Sequence, residues 1–160
     1  MKIARFVAVA AAAVAGGAAV AQEISPADVV FDDGGAVAVS LSGATGDPEA
    51  GLKVFTTRSL GNCVACHSVT ALLDSVAFHG NVGPPLDGVA ARWNEAEIRG
   101  IVSDAKNTYD GTIMPSFYKT SGYIRPGEAF TMKPAAEPLP PLLTAQQIED
   151  VVAYLMTLKE

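Results

Sequence analysis

The sequence predicts an all-α fold. Helix-start chemistry recurs at Asp47, Asn94 and Thr144, and the stretches between are rich in Gly and Pro, as loops require. A third observation is more local. Cys63-Val64-Ala65-Cys66-His67 places two cysteines and a histidine at the spacing of one helical turn.

The chain opens with Lys2 and Arg5, then an apolar run from Phe6 to Val14 built almost wholly of Ala and Val, then Ala19-Val20-Ala21. Basic start, short apolar core and small-residue site are the order of a secretory signal peptide. The run is too short to span a bilayer, so residues 1–21 are expected to be cleaved after Ala21, exporting the chain to the periplasm. No later segment offers a membrane span. Without Lys2 and Arg5, nine basic residues face seventeen acidic ones, a formal charge of minus eight. That balance argues against nucleic acid or an anionic membrane as partner, and for solubility or docking on a basic protein surface.

Residues 22–45 follow, rich in Ala, Gly, Val and Asp and with no clear period of 3.6 or 2. They read as an N-terminal arm. Asp47-Pro48 then gives an N-cap with Pro at the first helical position, and Gly51, Val54 and Phe55 recur at helical spacing toward the cysteines. Residues 81–88 form a Gly/Pro turn region. Asn94 with Glu97 makes a capping box for a helix through about Lys106. The segment of about 116–143 holds Pro126, Pro134, Pro138, Pro140 and Pro141, too many for a helix or central strand, and reads as a Pro-rich insert. In the last helix Thr144 and Gln147 make a second capping box, and Ile148, Val151, Val152, Leu155 and Leu158 share a face that must be buried. About 139 residues after the leader suffice for one domain with a single small core.

The pattern Cys63-x-x-Cys66-His67 is that of covalent haem attachment. Cysteines at i and i+3 can each form a thioether to one vinyl group of the same haem, and a histidine at i+4 can then ligate its iron. Three other uses of these residues fit the sequence less well. A zinc site would need Cys63, Cys66, His67 and His79 together, but adjacent Cys66 and His67 depart from the usual paired spacing. A thioredoxin-like pair lacks its βαβ context, and a plain disulfide leaves His67 unexplained.

A ligating histidine usually donates its second ring N–H to a carbonyl. In Gly83-Pro84-Pro85-Leu86, Pro84 is held extended by Pro85 and can present its carbonyl to His67, although an ordinary turn would leave the same residues. The sixth ligand has four candidates. Met156 lies on the last helix, as core residues do. His79 sits in the connection from the motif to residues 81–88, poorly placed for the opposite haem face and expected to be solvated. Met132 lies deep in the Pro-rich segment. Met114, before Pro115 in a turn after the middle helix, is the preferred ligand, and Met/His ligation raises the potential.

Together these residues resemble a class I cytochrome c: Gly51 and Phe55 before the attachment motif, Gly83-Pro84-Pro85-Leu86, Met114-Pro115, and residues 150–155. The resemblance covers about 46–158 and implies three or more helices around one covalently attached haem c. It also implies that the first and last helices cross closely at Gly51, with Phe55 against Val151 and Tyr154. The arm, the insert and the stretch 114–118 resemble the SoxX family, monohaem subunits of SoxAX complexes. That likeness implies a heterodimer with a larger SoxA-type cytochrome subunit that oxidatively couples thiosulfate to a cysteine of a carrier protein. No catalytic site is then expected on this chain, and the arm and insert, as irregular chain outside the core, are expected to supply partner contact. The alternative is a free-standing cytochrome that shuttles electrons between respiratory complexes.

Overall fold

The computed structural model describes residues 22–124, 126–127, 131–135 and 138–160; the signal-peptide segment 1–21 lies outside the described residues. Four α-helices occur among them: α1 Pro48–Thr56, α2 Val89–Arg92, α3 Glu95–Asp104 and α4 Ala145–Leu155. They are joined by 3-10 turns and irregular chain. No strand forms among the described residues, only an isolated antiparallel bridge between Gly127 and Pro134. No described helix is long and apolar enough to cross a membrane.

The helices begin where side chains satisfy their first N–H groups. The Asp47 carboxylate accepts from the N–H groups of Glu49 and Ala50, with Pro48 next in the chain. Asn94 with Glu97 and Thr144 with Gln147 form complete capping boxes that open α3 and α4. The middle helix is shorter than the sequence suggests. It ends at Asp104 and tightens into a 3-10 turn over Ala105–Asn107, because the Asp104 carboxylate recaps the chain by accepting from Lys106 N–H.

α4 is the spine of the core, and α1 and α3 both pack on it. Ile148, Val151 and Val152 are essentially sealed from water, and burial of each contributes about 1.5–3 kcal/mol. Where α1 crosses α4, a Cβ on Gly51 would stand only 1.9 Å from Asp150 O, so the crossing requires glycine. Phe55 then tilts against Tyr154 with ring centroids 5.2 Å apart.

The arm departs from the expectation that it lies outside the core. Val37 and Leu41 are fully buried within the same apolar cluster as α4. Three contacts bind it there: Val37 N–H donates to Ala96 O at 2.9 Å, Arg99 Nη1 to Val37 O at 2.9 Å, and Leu41 N–H to Glu149 Oε1 at 2.7 Å. The insert is likewise not wholly peripheral, since Phe117, Tyr118 and Leu143 are buried. One backbone donor and one acceptor that pair with no strand, Leu41 N–H and Val37 O, are satisfied here by the buried pair of Glu149 and Arg99.

Candidate haem centre

The attachment motif is one tight turn. Asn62, in the left-handed region at φ 48°, reverses the chain so that Cys63–Ala65 forms a 3-10 turn. Cys66 N–H and His67 N–H both donate to Cys63 O, at 3.1 and 2.9 Å. Gly61 N–H ties the approach to α1 through Val54 O. The anticipated helical turn is therefore tighter than α, with the N–H groups of Cys66 and His67 sharing the carbonyl of Cys63.

The loop of residues 80–87 runs alongside. Gly80 N–H donates to Val64 O, Gly83 N–H to Cys66 O and Leu86 N–H to Ser68 O, at 2.8 to 2.9 Å. Asp87 closes the far end by accepting from the N–H and hydroxyl of Thr70. These bonds bring Pro84 O to 2.7 Å from His67 Nδ1. With Nδ1–H donated there, Nε2 carries the free lone pair, the tautomer a metal needs. Gly83 passes beneath the ring so closely that a Cβ would lie 2.3 Å from Cε1.

Neither cysteine is in a disulfide. Burial pushes the Cys63 thiol up to about 12, with its own backbone hydrogen bond opposing and Cys66 adding to the rise. An oxidoreductase pair needs the opposite, a thiol activated by a lowered pKa. Among the described residues no three His, Cys, Asp or Glu side chains converge as a metal site would need, so the four-residue zinc set is not assembled.

Met114 packs, half-buried, on the core cluster together with Cys63, Leu60, Leu72, Val76 and Leu86. Two free thiols beside an imidazole oriented by Pro84 O fit a covalently held haem. The other methionines are placed differently. Met132 is 90% exposed at φ 54°, and Met156 caps the end of α4 against the core. His79 corrects an expectation: both its ring nitrogens are buried without a hydrogen-bond partner instead of solvated. Its neighbour Gly80 is clamped to Val64, which draws the loop inward.

Sequence reasoning missed what holds the Met114 segment. Asp104, at the end of α3, accepts from Ser116 Oγ at 2.6 Å and lies 3.3 Å from Lys119 Nζ. Burial alone would raise its pKa, but the bonds from Ser116, the Lys106 backbone and Lys119 outweigh it and hold the carboxyl below the usual range. Lys106 Nζ donates to Met114 O. Only the adjacency of Asp104 and Lys106 to a turn-rich stretch hinted at this.

The sequence model of the family described as cytochrome c matches residues 48–159. The chain belongs to the cytochrome c family. This cytochrome has the class I fold, with an N-terminal arm and a Pro-rich insert, and its cofactor is one covalently attached haem c. No curated protein matches it significantly. Among solved structures, the crystal structure of SoxXA from P. pantotrophus is 57% identical with a TM-score of 0.82, covering 87% of this chain and 100% of that one. The cytochrome is accordingly SoxX-like, an electron-transfer protein.

Proposed function

We propose that this cytochrome is the electron-accepting subunit of a periplasmic SoxAX-type complex, in which a larger SoxA-type partner oxidatively couples thiosulfate to a cysteine of a carrier protein. The observation that carries the reading is the 57% identity to a chain of the SoxXA structure over that chain's whole length. In this reading residues 1–21 are a signal peptide cleaved after Ala21, 22–45 an arm, and 46–160 the cytochrome domain with its insert at about 116–143.

Cys63 and Cys66 hold the haem through thioethers, and His67 ligates from one side with its ring oriented by Pro84 O. Met114 is the residue that would supply the second protein ligand to its iron. The haem supplies a reversible one-electron change at its iron, at a potential that the thioether raises. This assignment explains a division of labour. Both cysteines would be consumed as thioethers, leaving none to form a mixed disulfide, and with His67 and Met114 both holding the iron no ligand position would be left for substrate. The thiol chemistry then belongs to the partner.

The test is reconstitution. This chain alone should fail to join thiosulfate to a carrier cysteine, and the larger subunit should require it when oxidant is present. A protein that leaves its native source as a monomer, and without which the larger subunit works equally well, would favour the free shuttle.

A further inference from the structure

The six residues from Met114 to Lys119 form no helix or strand, yet Ser116, Phe117 and Tyr118 are all buried. What fixes them is the end of α3. Ser103 O accepts from Tyr118 N–H at 3.0 Å, and Lys106 Nζ donates to Met114 O. Between these two lies Asp104, itself 8% exposed, with φ −154° and ψ 90° where the chain leaves the helix. Its Oδ1 accepts from Ser116 Oγ at 2.6 Å and Lys106 N–H at 3.3 Å, and its Oδ2 faces Lys119 Nζ at 3.3 Å. One buried carboxylate thus reaches two residues C-terminal to Met114-Pro115 and the backbone that carries Lys106. Among the described residues, Met114 N–H donates to the hydroxyl of Thr112, at 3.3 Å, inside its own turn.

We propose that Asp104 is a positioning residue for the sixth ligand: by holding Ser116 and Lys119 against the end of α3, it keeps the Met114 thioether at the haem iron. The proposal rests on the reading of Met114 as that ligand. A ligand on a segment without regular structure stays bound only as well as the segment is held, and outer partners of metal ligands typically govern binding by 10- to 100-fold. The buried bond from Ser116 is the most directional of the set. Lys119 is a third exposed and less constrained.

The test uses the holoprotein in its oxidised form and adds imidazole, which can bind the iron only when the methionine has left. Asp104→Ala should raise the apparent imidazole affinity by about tenfold or more, and weaken the red charge-transfer absorption of thioether-bound ferric iron. Ser116→Ala, which removes only the hydroxyl, should do the same to a smaller degree and serves if Asp104→Ala does not fold. Asp104→Asn keeps the geometry of the acceptor and should lie nearer the parent. Leu41→Ala, a core truncation in the arm, controls for general loosening. If the Asp104 and Ser116 variants bind imidazole no more tightly than Leu41→Ala does, Asp104 only ends a helix and the proposal is overturned. If Met114→Ala leaves the absorption in place, the ligand assignment itself is what fails.

Discussion

The Arg99 guanidinium meets the Glu149 carboxylate at 2.9 Å, with the two side chains only 4% and 3% exposed, and the same pair holds the N-terminal arm by Val37 O and Leu41 N–H. One ion pair therefore joins three parts of the chain: α3, α4 and the arm.

Removing Arg99 leaves the buried Glu149 charge uncompensated, and removing Glu149 leaves Arg99 only the largely exposed Glu95. Arg99→Ala or Glu149→Ala should each cost about 3–5 kcal/mol in urea unfolding, read from helix circular dichroism. The double variant should cost clearly less than the two single losses together, because with both partners gone no charge is left stranded.

The arm should behave as part of the core. Leu41→Ala should destabilise by about 2–5 kcal/mol, and deleting residues 22–44 should lower the melting temperature more than any single arm substitution. A deletion that leaves melting unchanged would restore the picture of a free arm outside the fold.

The helix crossing gives a sharper contrast. Gly51→Ala drives a methyl into Asp150 O, whereas Gly111→Ala meets nothing within 4 Å and strains only a backbone at φ 71°. The first should lower stability by several times the second, which should cost about 1–2 kcal/mol, as measured side by side in thermal melts.

Tyr118 predicts an alkaline limit. Its hydroxyl donates to Ile24 O at 2.7 Å and Glu23 Oε1 at 3.3 Å, and burial, with the Glu23 charge adding, pushes the phenol up to about 12. An unfolded tyrosine loses its proton near pH 10. The folded state therefore keeps a proton that the unfolded state has lost, so this stability is complete below about pH 10 and vanishes as pH rises through about 12. Tyr118→Phe should flatten the fall in urea midpoint across that window, and an unchanged slope would mean the phenol does not report on arm docking.

What was legible in the sequence depended on range. The caps at Asp47, Asn94 and Thr144 and the turn at Cys63–His67 are fixed by residues within four positions of one another, and each formed near its expected place. The α1–α4 crossing was legible through the family resemblance. The arm was not, because Val37 and Leu41 are buried by partners fifty-nine and more positions away, on α3 and α4. His79 and Asp104 were missed for a related reason: a loop histidine and a helix-end aspartate look like surface residues until Gly80 and Ser116 draw them inward.

Covalent haem attachment at Cys63 and Cys66 underlies every role assigned to this chain, and peptide mass spectrometry of the native, protease-digested protein measures it. The peptide containing residues 63–67 should carry the mass of one haem, with no free thiol to alkylate, and should keep it in acidic organic solvent. A peptide of unmodified mass with two alkylatable cysteines, and haem that extracts into the solvent, would contradict the account.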